Sequence, residues 1–125
     1  MRKRLLVVDD NDMISEAVKH HLDARGYEVH CAARVIEAKA LLAQSRYGAV
    51  ITDLQLTPGE GSEGLAIVLE VRRLWPGTPV VLMTGHASET VAIAARRLGV
   101  DVLLHKGSSL SELEHVIRRL VGEAA

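Results

Sequence analysis

Five polar side chains stand where short apolar runs stop. Asp9 and Asp10 follow Leu5-Leu6-Val7-Val8, and Asp53 follows closely on Ala49-Val50-Ile51. Thr84 follows Val80-Val81-Leu82-Met83, and Lys106 comes just after Val102-Leu103-Leu104. Three carboxylates held together repel one another and retain their protons more tightly unless a cation compensates. Hard oxygen ligands in a small, partly open pocket suit Mg2+, which keeps several of its waters. No His or Cys is among the five, which disfavours zinc. A metal, a lysine and a hydroxyl arranged around a carboxylate make a site for a phosphoryl group. The carboxylate is then the nucleophile, and the cations neutralise the equatorial oxygens. Taken singly, each residue has a plain structural account as a turn residue or helix cap. Their joint occurrence in register with run ends has none.

The runs are strand-like: aliphatic, rich in β-branched residues and too short for helices. Runs that are apolar on both faces belong inside a parallel sheet covered by helices. Tyr27-Glu28-Val29-His30-Cys31 alternates instead, which suits an edge strand. Amphipathic segments of helix length lie between the runs. The first starts near Asp12 as N-cap and ends before Gly26, a glycine suited to a left-handed cap. The second covers about Val35 to Gln44. The third begins near Gly64 and stops at Trp75-Pro76-Gly77. The fourth begins near Ser88 and ends before Gly99. The fifth begins at Ser109, which forms a capping box with Glu112. Five strand–helix repeats predict an α/β, flavodoxin-like three-layer sandwich with parallel strand order 2-1-3-4-5. In such a sheet ligands bind beyond the carboxyl ends of the strands, where all five polar residues then converge.

The chain has 125 residues, enough for one core, and residues 1–125 are read as a single domain. Hydrophobic residues make up 48% and charged residues 25%, with 15 basic against 16 acidic side chains and a formal net charge of -1. That balance gives no global reason to bind nucleic acid or an anionic membrane. The single cysteine, Cys31, has no internal disulfide partner and reads as a small buried strand thiol. The opening apolar run is broken by Asp9 and Asp10, too early for a signal peptide or membrane span, so a cytoplasmic protein is expected.

The segments LLVVDDND at residues 5–12, VITDLQL at 50–56, PVVLMTGHA at 79–87 and LLHK at 103–106 occur in this order. With them the chain resembles the response-regulator receiver family of two-component signal transduction, from about Arg4 to Val121. The resemblance implies that Asp53 is the phosphoacceptor. It implies that Asp10 ligates Mg2+ directly, Asp9 through water, and Gln55 through its backbone carbonyl. Thr84 would hydrogen-bond the phosphoryl group, and Lys106 would pair with it. A sensor histidine kinase, a phosphotransfer protein or a small acyl phosphate would be the donor. The domain would be a signalling element that catalyses only its own phosphorylation and dephosphorylation.

The chain departs from the family pattern in several places. The loop over Thr57 to Glu63 is about three residues longer than usual and reads as a surface insertion. Gly107 replaces the usual proline after the lysine, so a trans peptide is expected. Leu103 stands where many receivers carry a ring that swings inward on activation. His86 reads as a loop histidine near the rim, His20-His21 as helix surface, and Trp75 as packing. A phosphorylation-independent pseudo-receiver that binds proteins is the alternative on the same fold. An aspartate-nucleophile phosphatase would instead use Asp10 and Asp12, and a flavin module would need a different first loop. The resemblance also implies possible homodimerisation through the face of the fourth helix, fifth strand and fifth helix. Arg96, Arg97, Asp101, Glu114 and Arg118 read there as ordinary solvated charges. Gly122-Glu123-Ala124-Ala125 resembles a linker start as much as an end, so a fused output domain is compatible with the sequence.

Overall fold

The aliphatic runs pair as parallel strands, because each is apolar on both faces and must be covered on both. The computed structural model describes residues 2–54, 63–85 and 89–122. The elements are β1 (Arg4–Val8), α1 (Asp12–Asp23), β2 (Glu28–Ala32), α2 (Val35–Gln44), β3 (Ala49–Asp53), α3 (Glu63–Leu74), β4 (Val80–Thr84), α4 (Glu89–Arg97), β5 (Val102–His105) and α5 (Leu110–Val121). The sheet order is β2-β1-β3-β4-β5, as the β–α alternation predicts. The register aligns Leu5 with Val29 and Ala49, Val50 with Val80, and Val81 with Val102. The three central strands therefore end at nearly one level.

Two layers of apolar side chains flank the sheet. Leu5, Val7, Ile51 and Val81 pack with Val18 and Leu22 of α1 and Leu113 and Ile117 of α5. Leu6, Val8, Val50 and Val80 pack with Ala38 and Leu42 of α2 and Val68 and Val71 of α3. A smaller group joins Leu82 and Leu54 to Ala95 of α4, with Leu103 against it. Trp75 packs as expected, and its Nε1 donates to Leu42 O at 2.9 Å. Edge strand β2 is half-open. The backbone N–H of Val29 donates to Asp23 Oδ1 at 3.3 Å, and the Lys19 ammonium donates to Val29 O at 3.1 Å. Backbone groups at a sheet edge are thus taken up by helix α1 rather than left for another strand.

Several local expectations need correction. Asn11, not Asp12, caps α1, with its side chain accepting from the N–H groups of Met13 and Ile14. Asp12 is the first helical residue, where its charge favours the helix dipole. Cys31 is exposed rather than buried: it lies near the end of edge strand β2, and its thiol reaches only the rim of α1, donating to Ser15 O at 3.9 Å. His21 is not a bare surface histidine: its Nε2 lies 3.0 Å from Glu114 Oε1 of α5. Glu114 also meets Arg25 at 2.6 Å and Arg118 at 2.9 Å, so it ties α1 to α5 instead of standing solvated. Asp101 accepts from Arg72 at 3.1 Å and from the Val80 N–H at 2.7 Å. The Ser109–Glu112 capping box is present, and Gly26 has φ +95°.

Candidate functional site

Four of the five strands deliver the site at their carboxyl ends: β1 leads into Asp9 and Asp10, β3 and β4 end on Asp53 and Thr84, and Lys106 follows β5. The Asp9 N–H donates to Ala32 O at 3.0 Å, which fixes the β1 exit against β2. Its Oδ1 accepts from the Asn11 N–H at 2.9 Å, so the turn that caps α1 also orients Asp9. Asp53 is the last residue of β3, and the Leu54 N–H then donates to Met83 O at 2.8 Å. The Lys106 N–H donates to Thr84 O at 3.0 Å, which holds the residue after β5 beside the end of β4.

Carboxylate oxygens of Asp9, Asp10 and Asp53 all lie within 4.8 Å of one another. Asp9 and Asp53 are buried, whereas Asp10 is exposed, so the acid cluster opens to solvent on one side. The Lys106 ammonium spans it, 2.9 Å from Asp53 Oδ2 and 3.5 Å from Asp9 Oδ2. Thr84 is buried at the neighbouring strand end. Burial raises the Asp9 pKa above the ordinary carboxylate value, and the charges of Asp53 and Asp10 add to it. The Asn11 hydrogen bond and Lys106 offset only part of this rise. Burial works against the Lys106 ammonium, yet the Asp53 hydrogen bond and the two carboxylate charges outweigh it and raise its pKa.

Three acid oxygens this close, with one lysine for compensation, are compatible with Mg2+. The structure brings Asp9, Asp10, Asp53 and Lys106 together and sets Thr84 at the adjoining strand end. Gln55, His86 and loop residues 57–62 lie outside the described residues. The peptide joining Lys106 to Gly107 is trans, and the Gly107 N–H donates to His105 Nδ1 at 2.9 Å.

One positioning residue was not singled out for its role by the sequence. A Cβ at Gly64 would fall on the carbonyl oxygen of Asp53 and the Cα of Leu54. The Gly64 N–H donates to Leu54 O at 2.8 Å, so α3 starts directly against the backbone that carries Asp53. A lone glycine at a helix start gives no sign of such an approach, since the neighbour it meets is ten residues away in sequence.

The profile of the response regulator receiver domain matches residues 5–118. A response regulator receiver protein of Anaeromyxobacter sp. (strain Fw109-5) is 36% identical over 104 residues, which are 83% of this chain and 42% of that protein. The transcriptional regulatory protein PmrA of Pectobacterium parmentieri is 30% identical over 118 residues, 94% of this chain and 52% of that protein. The chain spans about half the length of the curated relatives it matches. Among solved structures, a CheY-like receiver domain protein from Methanospirillum hungatei JF-1 is similar with a TM-score of 0.91 at 27% identity, covering 98% of this chain and 95% of that one. A response regulator protein from Burkholderia pseudomallei, solved with a phosphorylated aspartic acid, a calcium ion and citrate, has a TM-score of 0.84 at 27% identity, covering 96% of this chain and 69% of that one. Together with the strand order, the acid cluster and its lysine, these likenesses establish that the chain belongs to the response regulator receiver domain family, a regulatory domain of two-component signalling proteins.

Proposed function

We propose that this domain accepts a phosphoryl group on Asp53 in a Mg2+-dependent transfer and thereby switches its partners. The observation that carries the reading is the Lys106 ammonium, 2.9 Å from Asp53 and 3.5 Å from Asp9 inside an acid cluster. The phosphorylated aspartic acid of the Burkholderia pseudomallei relative supports it by analogy. Residues 1–125 act as one receiver domain.

An Asp53 carboxylate oxygen attacks the phosphorus of the donor. The bond from phosphorus to the donor's histidine nitrogen or acyl oxygen breaks, and its electron pair leaves with the donor. Lys106 pairs with a phosphoryl oxygen, and the Thr84 hydroxyl donates to another. Asp9, Asp10, Asp53 and the backbone carbonyl of Gln55 would hold Mg2+. When bound, the ion supplies positive charge to the phosphoryl oxygens, which the acid cluster alone would repel. A sensor histidine kinase or phosphotransfer protein serves as donor in a cytoplasmic setting. The phosphorylated state changes binding to a fused or separate output partner, or to a second copy through the α4-β5-α5 face.

The direct test of the resting site is thermal unfolding with Mg2+ alone and with Mg2+ plus beryllofluoride. Stepwise stabilisation that disappears in Asp10→Asn supports the reading. No stabilisation by either addition contradicts it.

A further inference from the structure

The pole opposite the acid cluster carries the reverse charge. A hollow of about 530 Å³ opens there at the amino ends of the central strands, and Arg2, Lys3, Arg4 and Arg46 line it. The strands have five residues, so this hollow lies roughly 15 Å from the acid rim. Arg4 is paired with Glu28 at 3.1 Å. The Lys3 ammonium donates to Val121 O at 3.3 Å, at the end of α5, where a cation suits the helix dipole. The charge of Arg2 acts on Asp23, whose carboxyl it helps to hold below the usual range. Arg46 lines the same hollow and, among the described residues, makes no hydrogen bond or ion pair.

Gly48 and Gly77 lie on the floor of the hollow, beside the Lys3 side chain and an Arg46 guanidinium nitrogen respectively. Like charges gathered around a concavity raise its local potential and concentrate counter-ions. Guanidinium forks favour planar or tetrahedral oxyanions, which they can grip with two parallel hydrogen bonds. With Arg4 set against Glu28 and Arg2 acting on Asp23, Lys3 and Arg46 leave an excess of positive charge around the hollow. The volume also exceeds what a single orthophosphate needs.

We infer that this hollow binds a small, multiply charged anion of the diphosphate class, at a site separate from the acid rim. The occupant would lie between the start of β1 and the Arg46 side chain.

The test uses the whole chain, isotopically labelled and free of metal, titrated with inorganic pyrophosphate and followed by amide NMR. Sodium chloride at matched ionic strength is the control. Saturable shifts centred on Gly48, Gly77 and Tyr47, absent with sodium chloride, are expected. Lys3→Gln combined with Arg46→Gln should weaken the affinity at least about tenfold. The unchanged melting temperature of that variant would show that it is folded. A variant with lowered melting is replaced by Arg46→Lys, which keeps the charge but loses the fork and should weaken binding less. Shifts that track ionic strength, that centre on Lys106, or that survive in the double variant would overturn the site.

Discussion

Lys106 and Asp53 are 53 residues apart in sequence, and their side chains meet at 2.9 Å. This pair binds the end of β5 to the end of β3 across β4. It also leaves Asp53 with a cation already in place before any phosphoryl group arrives. Lys106→Met should slow formation of the aspartyl phosphate from acetyl phosphate by about 10² while leaving the fold intact, because the equatorial oxygens lose a fixed positive partner. Rates of adduct formation followed by intact mass check this. A rate within twofold of the parent would remove Lys106 from the chemistry.

Asp9 is buried, and its charge is held there at a cost that burial and its acid neighbours impose. Its pKa is raised in the folded state, so above that value the ionised form destabilises the metal-free fold, and below the unfolded pKa the penalty is gone. Asp9→Asn should therefore raise the melting temperature of the metal-free protein by a few degrees at neutral pH, with the gain shrinking on acidification. The same variant should lose most of its stabilisation by Mg2+. Melting curves with and without the ion, across pH, read both effects.

Glu114 carries the opposite sign. Burial pushes its pKa up, but the hydrogen bond from His21 and the charges of Arg25 and Arg118 outweigh that and lower it. A depressed carboxylate contributes stability above its unfolded pKa and loses it as pH falls through the folded value. Glu114→Gln should thus melt lower than the parent at neutral pH, and the two curves should converge once acid protonates Glu114 in the folded protein. A difference that persists in acid would mean that packing, not charge, joins α1 to α5.

Gly64→Ala should be among the most damaging single-methyl changes. The added Cβ meets the backbone of Asp53 and Leu54, which cannot step aside as a flexible side chain can. Urea unfolding should show a loss of about 2–3 kcal/mol. Adduct formation should slow as well, since Asp53 must move. A loss below about 0.5 kcal/mol would show that α3 starts with slack.

Leu103 is half-buried against Leu54, Leu82 and Ala95. An aliphatic side chain in that place contributes packing to β4, β5 and α4 and offers no ring to swing. Leu103→Ala should cost about 2 kcal/mol, the low end for leucine truncation, because the site is partly open. Aspartyl phosphorylation should continue at the parental rate.

The strand order was legible because alternating apolar runs and amphipathic segments leave few right-handed solutions, and the weaker alternation of β2 marked it as an edge. The acid, hydroxyl and lysine positions were legible because they sit in register with the ends of those runs. Finer features depend on contacts between distant segments. Asn11 and Asp12 are both good caps, and only the backbone turn into α1 decides between them. Glu114 reads as a solvated acid until α1 and α5 are packed side by side and His21, Arg25 and Arg118 are seen around it. Cys31 is apolar enough for a core, but it sits on an edge strand where α1 covers it only in part.

The central claim is met most directly by incubating the chain with Mg2+ and acetyl phosphate and recording its intact mass, beside Asp53→Asn. A single phosphoryl adduct that needs Mg2+, is lost in mild base and is absent from the variant is the predicted result. The absence of any adduct on the parent, or an equal adduct on Asp53→Asn, would contradict phosphorylation at Asp53.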